Sequence, residues 1–310
     1  MKKHRFPVST IILLILLVVC FMYRTEIVTF VMSNVSEYTE VAKPSNNDYT
    51  NDFQFELVQT TDNFHVNNEK DIMNVIYTVL NSGQTNFTFY CSKDYKNCNN
   101  DLKAISENQT LLSVINNMIS PYNSYEKLYI TTNTYGKATI DIDKLYSEDD
   151  INKINAKIDA IENEIIKDDM SEEEKIRAYH DYVINNSLYD EERATQIEQG
   201  NDENFQYNSH KANGPLLEGM ALCSGYSDAM KLFLDRLNIP NYKISNANHI
   251  WNLIYINNQW LHLDLTWDDP VTSNGSNVLL HKFFLITTDE LHNLDNNSHN
   301  FNQEYYPETK

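Results

Sequence analysis

The chain has 310 residues, with 44 Asp and Glu against 24 Lys and Arg, for a formal net charge of −20. That balance repels nucleic acid and anionic lipid and sets polyanion-binding functions aside. Seven glycines and no Gly-rich turn leave no phosphate-cradling loop, and neither H-E-x-x-H nor C-x-x-C spacing is present for a metal.

Residues 1–24 read as a membrane anchor. Lys2, Lys3, His4 and Arg5 precede an apolar run from Val8 to Tyr23 that ends at Arg24. The basic end should stay in the cytoplasm and the rest should cross, with Arg24 able to snorkel. A cleaved signal peptide is the alternative, but no small-x-small site follows closely, and Val19 precedes Cys20 where a lipoprotein site needs a small residue. These residues carry +4, so the remainder carries −24. Residues 25–50 turn polar around Pro44-Ser45-Asn46-Asn47-Asp48 and read as a linker.

Residues 51–147 have the pattern of a small α/β domain without recognisable chemistry. A helix is expected over 71–80, a strand over 87–90, a helix over 102–119 and a hairpin around Tyr135-Gly136. Cys91 and Cys98 could form a disulfide outside the cytoplasm. Residues 148–170 hold a connecting helix with Ile151, Ile154, Ile158, Ile161 and Ile165 on one stripe. Ser171-Glu172-Glu173-Glu174 then makes a capping box for the next helix.

Residues 171–310 carry the chemistry. After Cys223-Ser224-Gly225, apolar residues at 226, 229, 230, 233, 234 and 237 trace a helical stripe that stops at Asn238-Ile239-Pro240. Cys223 therefore opens a helix, where unpaired N–H groups and the dipole favour a thiolate. The stretch 249–256 reads as a strand, Asn257-Asn258 as a turn, and 259–266 as the returning strand. A two-residue turn pairs Ile256 with Gln259, Trp251 with Asp264 and His249 with Thr266. One face then carries Ile250, Ile254, Ile256, Leu261, Leu263 and Leu265, with Asn252 as its polar member. The other carries His249, Trp251, Tyr255, Trp260, His262, Asp264 and Thr266. His249 and Asp264 are diagonal neighbours on that face. A thiol, an imidazole and a carboxylate in this order can make a nucleophile, base and orienting group.

At these residues the chain resembles the transglutaminase-like superfamily. The run 214–226 around Cys223 is similar to its cysteine motif, His249-Ile250-Trp251-Asn252 to its histidine motif, and Asp264-Leu265-Thr266-Trp267-Asp268-Asp269-Pro270 to its aspartate motif. His180-Asp181-Tyr182, Leu188-Tyr189-Asp190 and Phe283-Phe284-Leu285-Ile286-Thr287 resemble flanking elements of its bacterial branch. The resemblance covers about 171–292. It implies an α+β, papain-like fold with Cys223 as nucleophile, His249 as base and Asp264 as orienting carboxylate. That family spans cross-linkers, peptidases, amidases and members with no turnover, so the substrate stays open.

Competing residues have plainer readings. His262 reads as a supporting or surface residue, Asp268 and Asp269 as turn residues, and His180 as a partly exposed helix residue. A metal set of His249, His262, Asp264 and His281 has no motif behind it, and no cofactor is expected. Trp251, Trp260, Trp267 and Tyr226 are candidates for lining the substrate site, with hairpin and helix packing as their alternative role. The Asn-rich stretch 293–302 reads as a loop or frayed tail. The expected protein is thus a membrane-anchored thiol enzyme facing outward, acting on carboxamide or peptide bonds of a surface or wall-associated protein or peptide. The alternative is a non-catalytic surface module that keeps the three residues as a relic.

Overall fold

The computed structural model describes residues 22–23, 55–201, 205–271, 278–295 and 298–306. Except for Met22 and Tyr23, the expected anchor and linker lie outside the described residues. Among the described residues no helix is long and apolar enough to cross a membrane. The chain is α+β and forms two compact units, one of Phe55–Gln109 and Lys127–Asp143, the other of Thr110–Glu126 and Lys144–Lys310.

The first unit is built on a sheet with strand order β1-β2-β4-β3. Strand β1 (His65–Val66) is followed by helix α1 (Glu69–Asn81), whose first turn is capped by the Asn68 side chain accepting from Asp71 N–H. Ile72, Val75, Ile76, Val79 and Leu80 bury its inner face. Strand β2 (Asn86–Cys91) leads to helix α2 (Cys98–Glu107), and a Cys91–Cys98 disulfide ties the two. The single helix expected over 102–119 is two. Asn108 leaves helical dihedrals with ψ 83°, and α3 (Gln109–Met118) starts anew at the boundary of the second unit. Asn favours such breaks because its side chain competes for local backbone bonds. Strands β3 (Tyr125–Thr132) and β4 (Lys137–Lys144) form the expected hairpin around Gly136, whose φ of 74° suits glycine.

The second unit starts further upstream than the expected boundary at 171, because residues 110–126 and the supposed connecting helix belong to it. Helix α4 (Glu148–Ile165) buries Ile154, Ile158 and Ile161 in the same core as Phe233 and Leu263, so it is a structural layer rather than a joint. It opens on a Ser147–Asp150 capping box, and α5 (Glu172–Asn185) opens on the expected Ser171–Glu174 box. Strand β5 (Leu188–Tyr189) precedes α6 (Glu191–Glu198) and pairs in parallel with β6 (Met220–Ala221). That pairing delivers the chain to α7 (Cys223–Arg236). Tyr179 of α5 stacks on Phe233 of α7 at 4.0 Å between ring centroids. Each such fully buried apolar side chain contributes roughly 1.5–3 kcal/mol of transfer free energy.

Strands β7 (Asn241–Ser245), β8 (Ile250–Ile256), β9 (Gln259–Leu263) and β10 (Phe284–Ile286) form a sheet in the order β10-β9-β8-β7. Asn257 and Asn258 both have positive φ, 54° and 62°, the conformation that a two-residue hairpin turn requires. The pairing follows the expected register from Ile256↔Gln259 to Asn252↔Leu263. Beyond that the expectation fails. Trp251 does not pair with Asp264, nor His249 with Thr266. The chain turns instead into a short helix, α8 (Leu265–Asp268), with Asp264 as its N-cap. Asp264 satisfies the helix start better than a strand position would, because its side chain accepts from Thr266 and Trp267 N–H. Helix α9 (Thr288–Asp295) occupies part of the expected frayed tail.

The start of α7 is held by close backbone contact. A Cβ added at Gly225 would lie 2.2 Å from the Ser209 carbonyl oxygen. Gly225→Ala is expected to destabilise the fold by about 1–3 kcal/mol, since backbone rather than a flexible side chain must move. Urea unfolding followed by circular dichroism measures this, and an unchanged midpoint would contradict it.

Candidate functional site

Cys223 is the first residue of α7, and Leu222 at the cap position makes no side-chain capping bond. The first-turn N–H groups there are served by no capping side chain, and the helix dipole adds positive potential at the sulfur. Cys223 is half-buried and is the free cysteine among the described residues. Ser227, one turn on, donates to the carbonyl oxygens of Cys223 at 2.8 Å or Ile250 at 3.0 Å. Asn252 donates to the Ser227 carbonyl at 3.0 Å. The lone polar side chain on the core face of the hairpin thus bonds to the helix that carries the thiol.

His249 lies just before β8. Its N–H donates to Asn246 Oδ1 at 2.9 Å, in a turn that also holds Asn248 N–H. Its ring stacks on Trp251 at 5.5 Å. Nε2 meets Asp264 Oδ2 at 2.6 Å, and the Cys223 side chain, at the same cleft, acts on the ring's charge. The structure therefore brings Cys223, His249 and Asp264 together, although Asp264 reaches His249 from a helix cap rather than from a strand. Burial works against a charged His249. The charge and hydrogen bond of Asp264, followed by the Cys223 side chain, outweigh it and push the imidazole up to about 10.

Asp264 is fully buried. Oδ1 accepts from Thr266 N–H at 2.8 Å and Trp267 N–H at 3.3 Å. Oδ2 is shared between His249 and His299, the latter at 2.8 Å. Burial alone would raise its carboxyl, but the charge and bond of His249 and the bond of His299 hold it well below the usual carboxylate range. His299 was not among the candidates. It is wholly buried, and its Nδ1 meets Asp295 Oδ2 at 2.5 Å. The four-residue spacing of Asp295 and His299 was the available signal, but an Asn-rich stretch without periodicity concealed it.

The other candidates divide. His262 is not a surface residue: it is 1 % exposed, Nδ1 accepts from Trp251 Nε1 at 3.0 Å, and Nε2 faces Thr288 Oγ1 at 2.9 Å. Burial, with the neighbouring His299 and His292, holds it down to about 3, so it is a neutral support beneath Trp251. His180 is also buried rather than partly exposed, with Asp181 at 2.9 Å on Nδ1 and Asp268 at 3.2 Å on Nε2. Burial opposes its charge, yet the bonds and charges of those two aspartates raise it. Asp268 is a buried anchor rather than a turn residue. It also accepts from the N–H groups of Lys282 at 2.7 Å and Phe283 at 3.0 Å. Asp269 accepts from the Tyr226 hydroxyl.

Trp251, Trp260 and Tyr226 are buried by the packing of the sheet and α7, so they form scaffold rather than a substrate wall. Trp267 differs, being 36 % exposed and 6.3 Å from the His249 ring. The residues missed as lining are polar. A cleft of about 370 Å³ runs past Cys223 and His249 and is bordered by Ser113, Asn116, Ser124, Ser245, Asn246 and Asn248, among others. Asp228 and Lys243, also at this cleft, neutralise each other at 2.6 Å. Among the described residues, neither His262 nor His281 joins His249 and Asp264 in one ligand group. The groups whose ligand atoms converge within 4.8 Å are His180, Asp181 and His281, and separately His249, Asp264 and His299. Each is already bonded internally.

No protein-family model matches the chain, and no curated protein is significantly similar to it. Among solved structures it is similar to a TGase at 17 % identity and a TM-score of 0.34, over 49 % of this chain and 48 % of that one. It is also similar to a proposed cysteine protease from Cytophaga hutchinsonii at 13 % identity and a TM-score of 0.27, over 50 % of this chain and 65 % of that one. The chain spans less than two thirds of either relative, and likeness at these scores carries no functional assignment.

The pair of His249 and Asp264 makes stability depend on pH with a definite sign. His249 binds its proton more tightly folded, at about 10, than at its ordinary 6.5. Its contribution is complete below about pH 6.5 and is lost as pH rises toward 10. Asp264, depressed in the fold, contributes above its ordinary 3.8 and loses that contribution as pH falls. The stability difference between wild type and His249→Gln should therefore be flat between about pH 4 and 6.5 and shrink toward 10. Urea titrations at stepped pH measure it, and a difference that grows above pH 7 would contradict the assignment.

Proposed function

We propose that the second unit is a transglutaminase-like thiol enzyme that acts on carboxamide or peptide bonds through Cys223, His249 and Asp264. The observation that carries this reading is the position of His249, which shares a cleft with the Cys223 thiol and holds a buried carboxylate at 2.6 Å. Cys223 supplies its thiolate after its proton passes to His249. The sulfur attacks the carbonyl carbon, a C–S bond forms, and the oxyanion is met by the Cys223 backbone N–H at the helix start. The His249 imidazolium then protonates the leaving amine as the C–N bond breaks, leaving a thioester. Water or an amine next attacks the thioester while His249 takes its proton. Water gives hydrolysis, and a lysine amine gives a cross-link. Asp264 holds the imidazole in its useful tautomer and stabilises its charge.

The cleft mixes asparagine and serine side chains with Tyr125, Leu145 and Ile250, and suits an uncharged polar group such as a glutamine or asparagine carboxamide, with Trp267 as an exposed apolar contact nearby. The proposal includes the location: residues 1–24 would anchor the protein and leave the enzyme outside the cytoplasm, acting on surface or wall-associated peptides.

The decisive experiment offers glutamine-containing peptides with and without a primary amine to wild type and Cys223→Ala, read by mass spectrometry. Without amine, wild type should convert glutamine to glutamate, exchanging ammonia for water; with amine present, the peptide should gain the amine's mass less ammonia. Cys223→Ala should do neither. Asp264→Asn should keep the fold but lower the rate by up to about 10⁴, the scale of the corresponding change in a serine-protease triad. No mass change with any carboxamide or peptide, and no trapping by an electrophilic amide analogue, would sink the enzyme reading.

A further inference from the structure

The segment after α9 is bonded to both partners of the His249–Asp264 pair. On one side, His299 Nε2 meets Asp264 Oδ2 at 2.8 Å, on the same oxygen that His249 holds. On the other, the Ser298 carbonyl accepts from Asn246 Nδ2 at 2.9 Å, and Asn246 Oδ1 accepts from His249 N–H at 2.9 Å. The bonds close a ring from Asp264 through His249, Asn246 and the 298–299 backbone back to Asp264. His299 is itself immobilised. Asp295 Oδ2 accepts from its backbone N–H at 2.7 Å and meets Nδ1 at 2.5 Å. Its ring lies against Trp267 at 4.7 Å, Trp251 at 4.8 Å and Phe283 at 5.5 Å.

An imidazole is a costly way to fill an aromatic cavity. Apolar residues of similar volume pack as well or better than buried ion-paired groups. What His299 adds that an apolar residue cannot is a donor aimed at the one carboxylate oxygen that orients His249. Oδ1 is already fixed by backbone N–H groups, and with Oδ2 also fixed the carboxylate cannot turn.

Resting on the reading of Cys223, His249 and Asp264 as the reacting set, we infer that His299, braced by Asp295, is a positioning residue that fixes Asp264 and thereby sets the pH range in which the thiolate forms. The groups that face the pair are Cys223 of α7, Asp264 at the cap of α8, His299, and Asp295 of α9, with His210 and the Asp228–Lys243 pair across the cleft. Tyr189 of β5 feels the charges of Cys223 and Asp264, and His262 of β9 and His292 of α9 lie behind His299.

The test uses the full chain and three variants, His299→Leu, His299→Gln and Asp295→Asn. Each is followed by its melting temperature and by the rate of Cys223 alkylation with iodoacetamide between about pH 4 and 9. His299→Leu fills the cavity and should stay folded. Its alkylation at mildly acidic pH should fall about 10- to 100-fold, the scale of a small misplacement of a reacting group, and its acid limb should move to higher pH. His299→Gln, which keeps an N–H donor, should recover part of the loss, and Asp295→Asn should shift the limb in the same direction. A purely structural role would lower the melting temperature and leave the profile of the folded protein unchanged. A folded His299→Leu with the wild-type profile overturns the inference while the reading of Cys223 stands. If His299→Leu does not fold, wild-type profiles in the other two variants overturn it equally. A wild-type thiol no more reactive than a free one in mild acid overturns that reading and the inference together.

Discussion

A carboxylate in a protein interior is the constraint on which the rest of this unit depends. Removing Asp264 from water carries a penalty of several kcal/mol unless its oxygens are paired in good geometry. Four donors meet them: two backbone N–H groups of α8 and the rings of His249 and His299. They come from three different constraints on the chain. The backbone donors require β9 to end at Leu263 and turn at once into a helix. His249 requires the 246–249 turn to deliver it to the head of β8. His299 requires the segment after α9 to return across the site. Ending the strand early looks like a defect in the hairpin, yet it is the condition under which the carboxylate can be buried at all.

The same turn is pinned at its other end. Asp268 closes α8 as Asp264 opens it, and it is buried against His180 and the N–H groups of Lys282 and Phe283. Asp264 N–H in turn donates to the Phe283 carbonyl at 3.0 Å. Two aspartates, each paired with histidine, thus tie this four-residue helix to α5, the β10 edge and the 246–249 turn, while Asp269 just past it accepts from Tyr226 of the thiol-bearing helix. Removing either would leave an uncompensated buried group, which costs more than the pair itself contributes. The aromatic side chains of Trp251, Trp267 and Phe283 surround these bonds and thin the water near them. Lower local dielectric strengthens the coupling between His249 and Asp264 and makes a mispaired state more costly.

How far this was legible in the sequence depended on the range of the interaction. The stripe of α7, both hairpin strands, the Asn257-Asn258 turn and the Ser171 capping box depend on near neighbours, and periodicity and turn chemistry revealed them. Asp264 was found as a residue but given the wrong backbone. Leu261, Leu263 and Leu265 alternate as a strand does, and the cap signal of an aspartate before Thr266-Trp267 was outweighed by that alternation. Asn252 stood out as a polar residue on an apolar face, yet its reason, the Ser227 carbonyl, lies 25 residues away. His180 and His299 were illegible for the same reason in stronger form. Each is buried by partners 88 and 35 residues distant, and the local cues, Asp181 beside His180 and Asp295 four residues before His299, do not mark them as interior.

The chemistry available to a thiol in this setting follows from its two surroundings, which differ in polarity. Behind His249 the environment is dry and aromatic, so the imidazolium stays charged through its bond to Asp264 rather than through water. In front of Cys223 the cleft is lined by asparagine and serine side chains, with its one Asp–Lys pair internally neutral. An amide placed there could exchange water bonds for side-chain bonds at little net cost. The arrangement therefore separates two tasks. The dry side holds the charge of His249, and the cleft side presents hydrogen-bonding side chains. Trp267 belongs to both surroundings: it packs on His299 and Phe283 on the inner side and is 36 % exposed beside His249.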